Sequence, residues 1–166
     1  MNSRRIIAAV LLVIIVIMII YPSLSVGTVS VRFDSKGTGS AEHLYITLSM
    51  IQFHEAGFDN QTGWTGALNK TVTLDLIDQK NLAESSLEMM VRTGHYDKVA
   101  IRVSSASLVL GSNRTDLALS SERYVAEVPL VLKLAEGAQM TIQLSYEISA
   151  IQATGTFDTV IEATNA

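Results

Sequence analysis

Apolar and polar residues alternate with a period of two through most of the chain after residue 26. In the stretch "VGTVSVRF", Val29, Val31 and Phe33 fall on one side, while Ser30 and Arg32 fall on the other. The same alternation recurs in "KTVTLDLID", "YVAEVPLVLKL" and "MTIQLSYEIS". Because successive side chains of a strand point to opposite faces, this pattern predicts half-buried β-strands.

One of these stretches changes phase partway along. "HLYITLSMIQFHE" places apolar residues at alternate positions from Leu44 to Leu48, and then places Ile51 and Phe53 on the same side. An extra residue in one strand of a pair produces such a slip. The sequence therefore predicts a β-bulge near Met50.

The spacing of these elements predicts the fold class, which is mainly β. Eight or nine short strands are expected, with a hairpin turn at Thr93–Gly94 and a stretch from Asn81 that fits either a short helix or a strand. The last long strand is expected to keep one face apolar from Met140 to Ile148. Short strands with few helical stretches favour an antiparallel β-sandwich over a βαβ fold.

The N-terminus has a different pattern. Residues 1–5 carry two positive charges, and the run Ile6–Tyr21 is apolar and uncharged. At about 1.5 Å per residue this run spans about 24 Å, and the uncharged flank brings it to roughly the thickness of a bilayer core. The sequence therefore predicts a cytoplasmic N-terminus (1–5), a transmembrane helix or uncleaved signal anchor (6–25) and an extracytoplasmic domain (26–166).

The same N-terminal segment has a second interpretation, a cleaved signal peptide. Ser23 and Ser25 supply the small residues that precede a cleavage site. Both interpretations leave Arg4 and Arg5 in the cytoplasm and the following domain outside. The expected location is the cell membrane, with Ile6–Tyr21 in the bilayer, or outside the cell if the segment is removed.

Composition narrows the classes of function. The chain has 166 residues, a net charge of −4 and no cysteine. This length fits one domain with a core of its own. The acidic balance argues against a nucleic-acid partner, which requires a basic face. The lack of cysteine excludes disulfides, thiolate metal sites and cysteine nucleophiles.

A set of motifs in a fixed order resembles a known family. The motifs are "GTVSVRF", "ITLSMIQFHEAG", "VTLDLID", "TGHYDKVAIRVSSASLVL" and "VPLVLKLAEGAQMTIQLSYEI". Together they resemble the prokaryotic domain-of-unknown-function 4382 family. The resemblance implies a secreted or membrane-attached β-sandwich, similar in general shape to carbohydrate-binding-like and transthyretin-like domains, without an established activity.

This chain departs from the family pattern in two places. Many members carry a lipid-anchored cysteine, where this chain has the apolar run Ile6–Tyr21. Members often place a proline before the last apolar pair, where this chain reads "FDTVIEA". The closing edge strand is therefore expected to pair differently here.

Three sequons mark candidate glycosylation sites in predicted loops or at strand edges. They begin at Asn60, Asn69 and Asn113, and each has threonine at the third position. A glycosylated asparagine must be exposed, which fits these placements in an exported chain. The alternative is that each asparagine only forms a turn.

The pair His54–Glu55 looks at first like a metal or acid/base site. Neighbouring strand residues point to opposite faces, so these two side chains do not readily bind one ion together. His43 lies far along the same strand, and His95 falls in the predicted hairpin turn. The sequence predicts no catalytic, metal or cofactor site, and His54 is read as a polar strand end.

Trp64 is the only tryptophan and the candidate ligand platform. With Phe58 and Tyr45 nearby in sequence, it fits an aromatic surface for a sugar. The alternative is that Trp64 packs over the open end of the sandwich core.

Taken together, these features predict a non-catalytic role in binding or assembly. The first expectation is an accessory or structural subunit of a cell-envelope or membrane complex, with envelope proteins or copies of itself as partners. The second is a filament subunit that assembles by strand-edge pairing through "VGTVSVRF". The third is a carbohydrate-binding surface module that uses Trp64.

Overall fold

A computed structural model describes residues 10–16, 25–36, 40–68, 70–78, 86–133 and 136–165. Most of this part of the chain is β-strand, and one short helix, Ile148–Thr154, lies near the C-terminus. The strands are β1 (Val26–Lys36), β2 (His43–Glu55), β3 (Trp64–Gly66), β4 (Val72–Asp75), β5 (Leu87–Arg92), β6 (Gly94–Leu110), β7 (Asn113–Leu119), β8 (Arg123–Leu132), β9 (Gly137–Ser145), β10 (Thr156–Phe157) and β11 (Val160–Asn165).

The strands form two sheets, as expected for a β-sandwich. The four-stranded sheet has the order β11-β9-β1-β5. The seven-stranded sheet has the order β10-β7-β6-β2-β3, with β4 also paired to β2 and β8 also paired to β6. The β2–β6 pair is therefore the centre of the larger sheet, and each of its two strands supports two further strands on its outer side.

Two compensating irregularities interrupt the β2–β6 ladder. Ser104 is an extra residue in β6 and Ser49 is an extra residue in β2, on either side of the Leu48 pairing. Their hydroxyls donate to the partner strand, from Ser104 to the Thr47 carbonyl at 3.1 Å and from Ser49 to the Arg102 carbonyl at 3.4 Å. Both strands change phase at the same place, so their apolar faces stay matched, and the bulge predicted near Met50 is confirmed.

The core lies between the two sheets and contains the residues that the alternation predicted. Val29 and Val31 of β1 are fully buried, as are Ile51 and Phe53 after the phase change in β2. Burying side chains of this size typically contributes about 1.5–3 kcal/mol each. The core also contains the buried residues Phe33, Leu44, Ile46, Leu48, Leu74, Leu76, Val99, Ile101, Val103, Leu108, Met140, Ile142, Leu144 and Ile148.

The pairing differs from a purely antiparallel sandwich in two places. β1 pairs antiparallel with β5 but parallel with β9, and β10 pairs parallel with β7. β1 and β9 are far apart in the sequence, so no turn signal between them indicates their relative direction. The closing strand β11 pairs antiparallel with β9 and forms an edge of the smaller sheet.

Three local expectations are corrected. Thr93–Gly94 does not form a hairpin, because β5 and β6 belong to different sheets and the chain crosses between them there. His95 accordingly lies in β6, which is a single strand through Leu110. The last long strand ends at Ser145, and Ile148 begins a helix that still buries this residue.

The predicted membrane segment, 6–25, falls mostly outside the described residues. Residues 10–16 are helical and their side chains are exposed. Within the described ranges, no helix has the length and apolar character needed to cross a membrane.

Gly27 marks a close approach between the two sheets at the start of β1. A Cβ atom at this position would lie 2.7 Å from the Leu132 side chain and 2.9 Å from the backbone oxygen of Glu136. Real Cβ contacts are longer than this, and the backbone oxygen has little freedom to move. The sandwich therefore requires glycine here for space.

We expect Gly27→Ala to lower the free energy of unfolding by about 1–3 kcal/mol, because overpacking a tight contact forces its neighbours apart. Urea denaturation followed by circular dichroism measures this. Gly66→Ala is the matched control, since no described atom lies within 4 Å of its added Cβ. We expect Gly66→Ala to be neutral or stabilising by about 0.5 kcal/mol, and equal stability of the two variants would contradict the packing argument.

Candidate functional site

His54 is the most unusual polar residue of the sandwich, because it is buried on the outer face of a sheet. Its side chain points away from the core, opposite to that of Phe53, yet the residue is only 1% exposed. The loop 56–63 folds back over it, and β3 places Trp64 directly opposite it in the ladder. The outer face therefore contains a small, closed polar cluster.

A bulge in β6 brings the first partner of His54 into place. The β2–β6 register shifts between His54 and Glu55, which leaves Asp97 as the extra residue between Tyr96 and Lys98. Bulges re-aim a side chain in this way. The Asp97 Oδ1 atom lies 2.6 Å from His54 Nδ1.

The loop 56–63 supplies the second partner. The backbone carbonyl of Asp59 lies 2.8 Å from His54 Nε2. The carboxylate of Asp59 accepts hydrogen bonds from the backbone N–H groups of Gln61 at 2.8 Å and Thr62 at 3.0 Å. The N–H of Glu55 donates to the carbonyl of Gly63 at 3.0 Å and closes the loop. His54 thus holds in place a loop that is also stabilised by hydrogen bonds of its own.

The hydrogen bonding fixes the charge of His54. Both ring nitrogens face acceptors, so both must carry a hydrogen, which is the imidazolium form. The Asp59 carbonyl, and next the Asp97 carboxylate, raise the pKa of His54 above its ordinary value, and desolvation opposes them only in part. The N–H groups of Gln61 and Thr62 lower the pKa of Asp59. Because protein acceptors occupy both nitrogens of His54, neither is available to bind a metal.

Trp64 covers this cluster from outside. Its ring centroid lies 4.9 Å from that of His54, and its Nε1 donates to the Asn60 carbonyl at 3.0 Å. The guanidinium carbon of Arg123 lies 4.1 Å from the Trp64 ring centroid. The expectation that Trp64 packs over the open end of the core is therefore wrong, since it covers polar groups on the outer face of a sheet.

The other aromatic residues considered with Trp64 are placed differently. Tyr45 lies on the same strand as His54 but nine positions away, which is about 30 Å along a strand. Its ring stacks on that of His43 at 5.4 Å. Phe58 is 55% exposed within the loop 56–63. The structure thus groups Trp64 with Asn60 and Arg123, and separates it from Tyr45.

A second histidine–carboxylate pair was also missed by sequence reasoning. His43 Nδ1 lies 2.5 Å from Asp75 Oδ2, and Asp75 Oδ1 accepts from the backbone N–H groups of Leu44 at 3.2 Å and Ile77 at 3.1 Å. Asp75 therefore holds the end of β4 against β2.

The described residues include two of the three sequon asparagines. Asn60 is exposed, and its Oδ1 contacts the Nζ of Lys98. Asn113 is exposed at the start of β7. Asn69 lies outside the described residues. Glycosylation at all three stays a prediction.

Another surface hollow lies elsewhere, beside the C-terminal helix. It has a volume of about 650 Å³ and is lined by residues that include Tyr146, Glu147 and Asp158. Protein donors already bind both carboxylates, since Ser120 donates to Asp158 at 2.6 Å and Ser149 donates to Glu147 at 2.8 Å. Among the described residues, no group of three or more histidine and acidic side chains is placed to hold a metal ion.

The His54 cluster predicts a specific pH dependence of stability. Since the pKa of His54 is raised in the folded state, its stabilisation is fully present below about pH 6.5, its ordinary pKa, and is lost as the pH rises through the folded pKa. Thermal unfolding from about pH 5.5 to about pH 8.5 should show a falling midpoint. Over the same range, the hydrogen-exchange rates of the backbone N–H groups of Gln61 and Thr62 should rise by more than the intrinsic increase of exchange with pH.

Two variants test the assignment to His54. His54→Gln should flatten this pH dependence and lower the free energy of unfolding near pH 6 by about 2–4 kcal/mol, because buried partners lose charged hydrogen bonds. The exposed His95 is the control, and His95→Gln should keep the wild-type profile. An unchanged profile in His54→Gln would refute the role of the cluster.

Comparisons with known proteins show which family this chain belongs to. Among curated proteins, none matches this sequence. Three crystal structures, each described as "a putative cell adhesion protein", show some similarity over 86% of this chain. They come from Bacteroides eggerthii (8% identity, TM-score 0.41, 55% of that chain covered), Parabacteroides distasonis (7%, 0.39, 51%) and Bacteroides ovatus (13%, 0.27, 44%).

This chain therefore spans about half the length of those proteins. A family model described as "Domain of unknown function (DUF4382)" matches residues 26–164. The match begins at the first residue of β1 and ends within β11, so it covers the whole sandwich. The chain belongs to the DUF4382 family.

Proposed function

We propose that this protein is a single-pass membrane protein whose extracytoplasmic sandwich, carbohydrate-binding-like or transthyretin-like in general shape, has a non-catalytic role in binding or assembly. It acts as an accessory or structural subunit of a cell-envelope or membrane complex. The observation that carries the proposal is the position of β1. This strand starts at Val26, separated by only four residues from the apolar run Ile6–Tyr21, and lies between two other strands of its sheet.

The start of β1 is held firmly by the rest of the domain. Val26 pairs with Arg92, and the N–H of Thr93 donates to the carbonyl of Ser25 at 2.9 Å. The four Cα–Cα steps from Tyr21 to Ser25 span at most about 14 Å. A domain tethered by so short a link to a bilayer-spanning segment stays next to the membrane surface, where it meets other membrane proteins laterally.

The titratable groups with shifted pKa values support a non-catalytic role, because each of them holds the fold together. Burial raises the pKa of Tyr96, whose hydroxyl donates to the Arg92 carbonyl at 2.6 Å. Burial also raises the pKa of Tyr146, whose hydroxyl donates to the Leu76 carbonyl at 3.1 Å. His54 similarly holds the loop 56–63 through one ring nitrogen and binds Asp97 of β6 through the other.

Mass and assembly size test the leading proposal. Intact mass spectrometry of natively extracted protein should give the full-length 18.0 kDa, with added glycan where sequons are modified. The same material should migrate as a larger complex in detergent. A soluble protein whose mass shows that about the first 25 residues have been removed would refute the proposal of an anchored subunit.

The apolar segment offers a more specific test of partner contact. Ala8 and Ala9 are small residues that permit close helix approach, so Ala8→Leu/Ala9→Leu should reduce the size of the extracted complex. Val10→Phe/Ile14→Phe adds comparable bulk on the opposite side of the predicted helix, at about 100° per residue, and serves as the control. A complex of unchanged size in the alanine variant would count against contact through this side.

One observation favours a filament as the second candidate. β1 is the N-terminal strand of the domain and carries Val29, Val31 and Phe33 into the core from a position between β5 and β9. A strand of this kind is able to leave and be replaced by the same strand of another copy without rethreading the chain. Fibres in negative stain of protein released from its apolar segment would support this candidate, whereas a monodisperse monomer would oppose it.

A further inference from the structure

Two arginines face each other on the outer face of the seven-stranded sheet, close to Trp64. Arg102 of β6 and Arg123 of β8 are register partners, and both are exposed. Like charges placed directly opposite each other destabilise an antiparallel pair. In the described part of the chain, neither guanidinium forms an ion pair with a carboxylate. The described part of the fold therefore holds a repulsive pair without a carboxylate paired to either arginine.

A third cation and an aromatic ring lie beside this pair. Lys98 precedes Arg102 on the same face of β6, and its Nζ contacts the neutral Oδ1 of Asn60. Arg123 extends over the Trp64 ring, with its guanidinium carbon 4.1 Å from the ring centroid. Asn60, Trp64, Lys98 and Arg123 all line one surface hollow of about 380 Å³. This volume is in the lower part of the range for small-molecule sites, about 300–1,000 Å³.

The charge at this place is opposite to that of the whole protein. The hollow contains one carboxylate, Glu127, while the nearby Asp97 is engaged by His54. Lys98, Arg102 and Arg123 therefore leave a local positive excess on a chain whose net charge is −4. A charged ligand that fits this excess is an anion.

Glu127 and Asn60 indicate what kind of anion fits. A carboxylate inside the hollow repels a densely charged phosphate chain, but it accepts hydrogen bonds from hydroxyl groups. The amide of Asn60 both donates and accepts, and the half-buried indole of Trp64, with Arg123 over its ring, leaves an apolar edge for a sugar ring. The combination suits a molecule with one acidic group and several hydroxyl groups.

We propose that this hollow binds an acidic sugar unit of a polysaccharide, with its carboxylate or sulfate bound by Arg123 of the lining and by Arg102, the register partner of Arg123, which lies outside the lining. The sugar ring lies beside the edge of Trp64, whose ring Arg123 already covers, and its hydroxyl groups bind Glu127 and Asn60. This inference names a ligand class and rests on the binding role proposed above. The His54 cluster contributes by holding the loop 56–63, and with it Asn60, at the wall of the hollow.

The test uses the full chain in detergent micelles and isothermal titration calorimetry at low salt. The probes are a hexagalacturonate, a chondroitin sulfate hexasaccharide and the neutral cellohexaose. At least one acidic probe should bind, and cellohexaose should bind at least tenfold more weakly. Arg102→Gln/Arg123→Gln should weaken the acidic probe at least tenfold, because charged hydrogen bonds are lost.

A matched pair of substitutions controls for net charge. Arg32→Gln/Arg92→Gln removes the same total charge from exposed positions of the four-stranded sheet, and should change affinity less than twofold. Glu127→Gln separates a sugar site from a simple anion site. It should weaken binding of the acidic sugar, because a neutral amide oxygen replaces the charged acceptor for its hydroxyl groups, whereas it would strengthen a site that recognises charge alone.

Stability gives an independent readout of the arginine pair. Arg102→Gln should leave the thermal midpoint unchanged or raise it, because it relieves repulsion and spares the contact between Arg123 and Trp64. Loss of binding in this variant then does not come from unfolding. A clear fall in the midpoint would show that Arg102 has a structural role and would overturn the argument from uncompensated repulsion.

The remaining outcomes distinguish this inference from the proposed function. Equal affinity for cellohexaose and the acidic probes, or equal losses in the two double variants, overturns the acidic-sugar site. If the protein binds phosphatidylserine vesicles or an oligonucleotide but neither acidic probe, the site recognises phosphate groups and the acidic-sugar proposal is overturned. A chain that forms a larger complex but binds no probe keeps the proposed function and loses the inference. If the chain binds a probe but is found isolated and without a membrane anchor, the inference is kept and the proposed function is refuted.

Discussion

The antiparallel pairing of β2 with β6 is the constraint on which the rest of the sandwich depends. Every other strand of the larger sheet, except the short β10, pairs directly with one of these two. The pair tolerates an extra residue in each strand because Ser49 and Ser104 are placed on either side of the same rung. Both apolar faces shift together, so the core remains continuous from Leu44 to Phe53. A single uncompensated slip would turn half of one strand outward.

The same ladder also creates the outer-face site, through a bulge that is not compensated in this way. Asp97 is left without a ladder partner, and its carboxylate is free to approach His54. The histidine in turn holds Asp59 and the loop 56–63, and β3 then sets Trp64 over the cluster. The position of Trp64 therefore follows from one extra residue in a strand that otherwise serves the core.

Sequence periodicity recovers the inner face of this sandwich much better than its outer face. Alternation identifies β1 and the buried side of β2, because burial of apolar residues acts locally on each strand. Tyr96 and Val99 are both buried although an odd number of positions separates them. This is the same change of phase in the apolar pattern that predicted the bulge near Met50. The parallel pairing of β1 with β9 leaves no such signal, because it depends on strands that are distant in sequence. Burial of His54 beneath a loop and the facing of Arg102 with Arg123 are likewise tertiary outcomes.

The features that conflict with folding rules are concentrated on one face. The inner faces contain apolar residues in close contact, and the outer face of the smaller sheet is mainly polar and exposed. The outer face of the larger sheet instead holds a buried imidazolium and two opposed arginines, on strands that the core already fixes. Natural proteins break local rules mainly at functional sites, where another interaction compensates. Protein groups compensate the imidazolium, since Asp97 and Asp59 bind both of its nitrogens. Among the described residues no carboxylate forms an ion pair with either arginine, and the acidic ligand proposed above is the group that would compensate them from outside the chain.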